Sequence, residues 1–298
     1  MESFAAAHAM LGFVAVPVVV HSRTAQRVLV THWVDGQSPR ALLAAARAEG
    51  KGGAAEGRLR AMVNMGVECS LAQLLVSGVM HADPHPGNLL LTADGTLVYL
   101  DHGLLSFVQP HHSQAMFSAL LHLVLEDYDA LVADLDRLDL LKPNTDRVRL
   151  ATELKTSLTS VTTSGSSAAP PPSPPSSPPP PSSPPTPPSS QPTSPPLQPL
   201  LAAALAGGAS PSVLAVSWGQ LGGVLLRMAL KYRFHLPPYL TLVARSLTTL
   251  EGLALQVEPD FKVLHAALPT LGRELVRRAA RRGEARALLA ALLLEGDG

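Results

Sequence analysis

Hydrophobic residues recur at helical spacing along much of this chain, with apolar positions three and four residues apart. In residues 113–125, for example, apolar side chains repeat at this spacing from Met116 to Val124. Similar runs cover residues 62–75, 130–141, 213–232 and 240–255. The pattern predicts a lobe that is built mainly from buried helices.

The spacing changes to that of strands between Asn88 and Asp101. Two apolar runs, residues 89–92 and 96–100, flank an Asp–Gly pair at residues 94–95, a pair that tight hairpin turns favour. A hairpin of this kind returns the chain to its starting point. We therefore expect Asn88 and Asp101 to lie side by side.

The loop before this hairpin carries candidate chemistry, because residues 81–88 are HADPHPGN. Their spacing matches the kinase pattern H-x-D-x-x-x-x-N, whose Asp accepts the proton of the acceptor hydroxyl and whose Asn holds a magnesium ion. Asp83 and Asn88 fill these positions, and Asp101 fills that of a second metal ligand in a D-x-G triplet. Such oxygen ligands suit Mg²⁺. The pattern predicts magnesium-dependent phosphoryl transfer or nucleotide hydrolysis.

The two histidines of the loop permit another interpretation, a zinc or iron site in which His81, His85 and the Asp83 carboxylate bind the metal. The kinase pattern is favoured because it also accounts for Asn88 and Asp101. In that pattern His81 stabilises the loop. His85 takes the place of a lysine that many kinases carry, and either faces the transferred phosphoryl group or packs against it. His81, Asp83 and His85 are the candidate catalytic residues.

The residue identities of the segment 81–88, and not only their spacing, resemble those of the UbiB/aarF-type atypical kinases. Residues 16–19 and 27–36 resemble the family's strand and interlobe hinge, and stretches within residues 236–264 resemble its distal helical region. The resemblance implies an α+β fold that is mainly α-helical. It would comprise a protein-kinase-like C-terminal lobe, a short β-hairpin at the active site and a remnant of the N-terminal lobe.

The resemblance further implies that the cofactors are ATP and Mg²⁺, with the adenine bound by the hinge backbone at His32, Trp33 and Val34. It implies a role in isoprenoid-quinone or related lipid metabolism in a plastid or mitochondrion, peripheral to the membrane. The implied partners are the nucleotide and either a membrane surface or proteins of the lipid-quinone pathway.

Compared with the family, the chain also shows departures. Met1 falls inside what would be the N-terminal lobe, and the first lysine, Lys51, follows the hinge, so the phosphate-gripping lysine is not found ahead of it. His102 stands where the family usually has Phe. We therefore expect residues 1–298 alone to be inactive. The alternatives left open are a non-catalytic kinase-like binding protein, a truncated gene product, and a small-molecule phosphotransferase of the aminoglycoside and choline kinase type.

Charge and cysteine content narrow the possible partners. The 23 basic and 23 acidic residues leave no net charge, so no nucleic-acid partner is expected. The single cysteine, Cys69, excludes an intramolecular disulfide and is expected to be buried. Residues 5–20 are fewer than the roughly 20 of a membrane span, and they predict a helix followed by a buried strand. No targeting peptide is predicted.

A low-complexity tract interrupts the chain, since residues 170–199 hold 17 of the 28 prolines. Such a composition buries too little apolar surface to offset the entropy of ordering. It predicts a disordered insertion between two helices of one lobe, or a ligand for an adaptor domain. The predicted divisions are an N-lobe remnant with the hinge (1–36), a kinase-like lobe (37–160), the insertion (161–210), further lobe helices (211–270) and a basic terminal helix (271–298).

The terminal helix concentrates arginines, from Arg273 to Arg286, ahead of a leucine-rich end at residues 288–294. One interpretation is a helix that lies on a membrane surface. The other is a solvated basic face, which the interspersed Glu274 and Glu284 favour.

Overall fold

The computed structural model describes residues 1–81, 83, 85–164, 216–256 and 258–281. Helices dominate this part of the chain. They are α1 (Glu2–His8), α2 (Pro39–Glu49), α3 (Ala54–Ala72), α4 (Pro110–Val124), α5 (Tyr128–Arg137), α6 (Arg147–Ser164), α7 (Trp218–Lys231), α8 (Pro238–Ala254) and α9 (Val263–Arg281). A π-helical turn, Gln73–Ser77, continues directly from α3.

Short strands make up the described β-structure. They are β1 (Val14–Ala15), β2 (Val79–His81), β3 (Leu89–Leu91), β4 (Leu97–Tyr99) and β5 (Leu105–Phe107). β4 lies between β1, with which it is parallel, and β3, with which it is antiparallel, whereas β2 pairs with β5 in a separate sheet. The fold is therefore α+β and mainly α-helical, as predicted.

The hairpin predicted from the alternating pattern is confirmed. β3 and β4 pair antiparallel with Leu90 opposite Val98, and the Thr92 N–H donates to the Thr96 carbonyl oxygen at 3.0 Å. Gly95 in the turn has φ +87°, a conformation that residues with a side chain rarely adopt. The Asp–Gly pair thus allows the reversal that returns β4 to the start of β3.

Helices are found at the five runs of apolar spacing, but with shifted ends, whereas α2 and α6 were not predicted. α4 begins at Pro110, because proline is well accommodated in the first helical turn. α5 begins after Asp127, whose side chain accepts a hydrogen bond from the Ala130 N–H at 3.0 Å, and it ends at Arg137. A first-turn proline in α4 and a capping aspartate in α5, rather than apolar spacing, mark where these helices begin.

The main hydrophobic core surrounds α3, which packs against α2, α8 and α9. Ser70 on α3 and Ser246 on α8 are both buried, and their hydroxyl oxygens are 3.3 Å apart. Cys69 is fully buried in the same core, as predicted, and burial raises the pKa of its thiol to about 11. Since α3 leads through the π-helical turn into β2, this core sets the position of the candidate catalytic loop.

A second core joins α4, α5, α6 and α7. Leu154 of α6 and Val224 of α7 are both completely buried in it. The helices on the two sides of residues 165–215 therefore pack together. The proline tract itself lies outside the described residues.

The predicted buried strand near the N-terminus is wrong. The run at residues 5–20 does begin in α1, but β1 covers only Val14–Ala15, and Val18 is 65% exposed. The Val18 carbonyl oxygen accepts a backbone hydrogen bond from His32 at 2.8 Å, within an irregular hairpin. Because the described residues leave the Val18 side chain uncovered, its apolar character does not mark a core position.

The predicted boundary at residue 271 is also wrong. α9 runs without a break from Val263 to Arg281. Val263, Leu271 and Leu275 are all buried in the main core, so one apolar face extends through the proposed boundary. The change in charge along the chain reflects the composition of the outer face and not a change of domain.

The arginines of α9 differ in exposure, since Arg277 and Arg278 are half-buried while Arg273 and Arg281 are exposed. Arg278 donates to the Leu75 carbonyl oxygen at 2.7 Å, and its guanidinium lies 4.1 Å from the ring centroid of Phe117. The rest of the predicted terminal helix, beyond Arg281, lies outside the described residues. None of the helices in the described part of the chain is both long and apolar enough to cross a membrane.

Candidate active site

β2 leads into the candidate catalytic loop. The glycine directly before this strand, Gly78, has a constrained backbone conformation. Gly78 has φ +67°, and its carbonyl oxygen accepts a hydrogen bond from the Val108 N–H at 2.8 Å. A Cβ atom on Gly78 would lie 2.8 Å from the Val108 carbonyl oxygen, which no side chain tolerates. The close approach of β2 to the end of β5 therefore requires glycine at this point.

His81 joins the loop to the end of the hairpin. Its buried ring donates from Nε2 to the Asp101 carbonyl oxygen, while Nδ1 accepts a hydrogen bond from the Asp83 N–H at 3.2 Å. The His81 N–H donates to the side-chain oxygen of Gln73 at 2.8 Å. Burial lowers the pKa of His81, which favours the neutral ring that this donor and acceptor pattern requires. These bonds are consistent with the loop-stabilising role predicted for His81.

Asn88 lies at the open end of the hairpin. Its carbonyl oxygen accepts from the Leu100 N–H at 2.9 Å, and its side-chain Nδ2 donates to the Asp83 carbonyl oxygen at 3.2 Å. The amide oxygen of Asn88 is therefore the side-chain atom that remains for a metal. Asp101, directly after Leu100, is exposed, and its Oδ1 accepts from the Gly103 N–H at 2.8 Å. This amide and this carboxylate supply the oxygen donors that Mg²⁺ prefers, so the donor set fits that ion.

The Asp83 carboxylate has a partner that the spacing of the motif does not predict. Arg245 on α8 donates from Nη2 to Asp83 Oδ1. The Arg245 side chain is 61% exposed and that of Asp83 32%, so both remain accessible to a ligand. The two residues are 162 positions apart, and the sequence signal for Arg245 is limited to its place in the stretch that resembles the family's distal helices.

His85 is exposed and contacts its own loop. Its Nδ1 accepts a hydrogen bond from the Gly87 N–H at 3.0 Å, which caps the single 3₁₀ turn Pro86–Asn88. In the zinc or iron interpretation, this ring would instead converge with its neighbours on an ion. Among the described residues, three side chains of the metal-binding types lie close enough to share an ion. They are His111, His112 and Asp139, which are not part of this loop.

The three residues of the predicted hinge differ in whether their backbone groups are already hydrogen-bonded. The His32 N–H is bonded to the Val18 carbonyl oxygen at 2.8 Å, so it does not face a nucleotide. Trp33 is 88% exposed, and Val34 is half-buried. Within the described part of the chain, no backbone hydrogen bond is recorded for Trp33 or Val34. Their backbone groups are therefore the better candidates for contacts with adenine.

The predicted hinge is followed directly by a segment that contacts the β3–β4 hairpin. Gln37 and Leu91 exchange two backbone hydrogen bonds of 2.8 and 2.9 Å, so the segment after the hinge runs beside β3. β3 begins immediately after Asn88. The structure thus places the segment that follows the predicted hinge beside the strand that follows Asn88.

His102 packs among aromatic rings, as the resemblance implies for the residue at its position. Its ring centroid lies 5.0 Å from that of Phe4 on α1 and 5.4 Å from that of His81, both edge to face. Burial, together with the neighbouring His81, lowers the pKa of His102 to about 4. The neutral ring therefore substitutes for an apolar aromatic side chain. The contribution of Phe4 carried no recognisable signal in the sequence.

Comparisons with known proteins agree with this geometry. The family model for the ABC1 atypical kinase-like domain matches residues 1–135, and that for the UbiB helical domain matches residues 212–262. The first match contains the candidate catalytic loop, the hairpin and the hinge. The second contains Arg245. Together the two models cover more than half of the chain.

Two curated relatives support the same assignment. The Synechocystis protein sll0005 is 32% identical over 92% of this chain and 32% of its own length. The Arabidopsis chloroplastic protein ACTIVITY OF BC1 COMPLEX KINASE 3 is 33% identical over 88% of this chain and 29% of its own. Among solved structures, Rv3197 of Mycobacterium tuberculosis in complex with erythromycin has a TM-score of 0.48 at 16% identity, covering 89% of this chain and 54% of that one.

The chain spans about a third of the length of these curated relatives. Its matched regions are nevertheless the ones that carry the loop motif HADPHPGN and the helices that pack behind it. This chain belongs to the ABC1/UbiB family of atypical kinase-like proteins.

Proposed function

We propose that this chain forms the magnesium-binding and catalytic part of an ATP-dependent phosphotransferase or ATPase. One observation carries the proposal: a single hydrogen-bonded network holds Asp83, Asn88 and Asp101 at the end of one hairpin. His81 bonds to the backbone of both Asp83 and Asp101, and Asn88 bonds to the backbone of Asp83. A base and two metal ligands in fixed relation are what phosphoryl transfer requires of a protein.

Each residue has a defined task in this proposal. Asn88 and Asp101 would hold Mg²⁺, which supplies charge neutralisation to the phosphate oxygens. Asp83 would orient the acceptor hydroxyl or water and accept its proton. The backbone at Trp33 and Val34 would contact the adenine. His81 would keep the loop in place, and the exposed ring of His85 would line its outer side.

The cellular role is proposed from the family and its members. The matched Arabidopsis relative is named as a chloroplastic protein, which supports a plastid location for this chain. A role in isoprenoid-quinone or related lipid metabolism, with contacts to a membrane surface or to proteins of that pathway, is part of the same proposal. The phosphoryl acceptor would then be a component of lipid metabolism.

The metal site can be tested by Asp101→Ala in a chimera that carries the region upstream of the hinge from a longer relative. Loss of the carboxylate should abolish Mg²⁺-dependent ATP binding, measured as the ligand-induced rise in Tm. Asp129→Ala, an exposed aspartate at the start of α5, serves as the matched control and should bind ATP normally. Equal ATP-induced shifts in all three proteins would contradict the proposal.

Asp83→Asn separates the base from the metal ligands. Because the base acts on the acceptor, this variant should retain ATP binding while its turnover falls to background. Turnover at the unaltered rate would remove Asp83 from the mechanism.

A further inference from the structure

The ion pair between Arg245 and Asp83 connects the two regions that the family models recognise separately. Asp83 lies in the catalytic loop, whereas Arg245 lies in the middle of α8. The guanidinium donates to the side-chain carboxylate of Asp83. A residue of the helical region therefore contacts the proposed base of the kinase-like region.

Buried contacts hold α8 in place just after Arg245 in the chain. Ser246, next to Arg245, is buried against Ser70 of α3. One helical turn and a half further on, the buried carboxylate of Glu251 accepts hydrogen bonds from the first two N–H groups of α7, those of Trp218 (2.7 Å) and Gly219 (3.1 Å). The backbone that carries Arg245 is thus fixed by buried contacts, although the Arg245 side chain is itself largely exposed.

The backbone and the side chain of Asp83 are constrained by different partners. The Asp83 N–H and carbonyl oxygen are bonded to His81 and Asn88, within the loop and the adjoining hairpin, whereas the Asp83 carboxylate ties this loop to α8. Arg245 occupies Oδ1. In the described part of the chain no partner is recorded for Oδ2, so that oxygen is available to accept a proton from an acceptor.

We infer that Arg245 is a positioning residue, which holds the Asp83 carboxylate with one oxygen directed to the acceptor. This inference rests on the proposed function of Asp83 as the base. An exposed ion pair contributes little to folding stability, so a purely structural explanation of the contact predicts little effect of its removal. Misplacement of a reacting group, in contrast, costs up to about 100-fold in rate.

Hydrogen–deuterium exchange tests the constraint without depending on activity. In the 298-residue chain, Arg245→Gln should raise amide exchange in the peptide that contains residues 81–88, and Arg245→Lys should raise it less. Arg227→Gln, an exposed arginine on α7, is the matched control and should leave that peptide unchanged. Asp83→Asn should raise exchange to a similar degree, and the double variant should add nothing, because both single changes remove the same contact.

Turnover tests the role in catalysis in the chimera described above. Arg245→Gln should lower kcat on the order of 10-fold to 100-fold with KM for ATP and Tm little changed, and Arg245→Lys should recover part of the loss. Loop exchange in Arg245→Gln that equals that of Arg227→Gln would overturn the inference whatever the activity. A chimera that fails to bind ATP would instead count against the proposed function, and loop exchange alone would then decide the role of Arg245.

Discussion

His102 is a polar residue that behaves as an apolar one in this fold. It lies against Phe4 and His81, and burial lowers its pKa to about 4. An unfolded chain binds a proton on this ring at about its ordinary pKa of 6.5. Between these pKa values the unfolded state binds more protons than the folded state. The stability that the neutral His102 ring contributes is therefore fully present above about pH 6.5 and is lost as the pH falls toward 4.

His102→Phe should therefore reduce the loss of stability in acid. The phenyl ring keeps the edge-to-face packing and cannot be protonated, so Tm should fall less between about pH 7.5 and about pH 5 than it does for the unaltered chain. Part of the dependence should remain, because burial also lowers the pKa of His8 and of His81. Thermal melts of both proteins at the two pH values measure the effect. Identical losses of Tm would show that His102 does not contribute.

The residues of the site that were predictable share one property, which is their closeness along the chain. Asp83, Asn88 and Asp101 follow a fixed spacing, and the hairpin between the last two is encoded by its own turn. Arg245 and Phe4 were not predictable as site neighbours, because only tertiary packing brings them to the loop. A sequence pattern records what the backbone imposes locally and contains no information on contacts of this range.

At the scale of elements, α4 and α5 are joined through the buried side chains of Asp134 and His122. Asp134 is completely buried, and its carboxylate is 2.6 Å from His122 Nδ1 and 2.8 Å from Arg137 Nη1. Removing the carboxylate would leave a buried histidine and an arginine without their partner. Breaking a buried pair in this way typically costs about 3–5 kcal/mol.

Asp134→Ala should therefore lower the free energy of unfolding by roughly 3 kcal/mol or more, measured by denaturant titration. Asp129→Ala on the exposed side of the same helix is the control and should change stability by less than about 0.5 kcal/mol. Replacing His122 and Asp134 together by leucine should recover part of the loss, since an apolar pair avoids the cost of desolvation. A small effect of Asp134→Ala would show that water reaches these side chains.

The element boundaries show where sequence patterns fail. The hairpin and most of the described helices were predicted, because apolar periodicity and the Asp–Gly turn act locally, but α2 and α6 were not. The boundary at residue 271 was misplaced because a change in surface charge was taken for a change of domain, while the buried face of α9 continued. The run at residues 16–20 was misassigned because apolar residues do not by themselves reveal whether another layer covers them.

At the scale of the whole molecule, helices that are far apart in sequence pack together in one lobe. α6 and α7 share the second core, although residues 165–215 separate them in sequence. The composition of residues 170–199 predicts that this tract contributes nothing to that core. The free energy of loop closure changes only logarithmically with loop length.

Replacing residues 170–199 by a short Gly/Ser segment should therefore change the free energy of unfolding by no more than about 1 kcal/mol. The transition should stay cooperative when it is followed by circular dichroism during heating. Loss of the cooperative transition would show that the tract packs on the lobe. A control replacement within α6, at the buried residue Leu154→Ala, should lower stability by about 2–5 kcal/mol.

The contact between α3 and α8 has a consequence for how such proteins diverge. An added Cβ on Gly66 of α3 would come within 2.8 Å of the Leu250 side chain of α8, so the two helices are shaped to each other. These helices belong to the two regions that the family models describe separately. If recombination joined the first region of one relative to the second region of a distant relative, the contacting surfaces of α3 and α8 would not have evolved together. The two regions should therefore be inherited as a pair, with substitutions on one compensated by substitutions on the other.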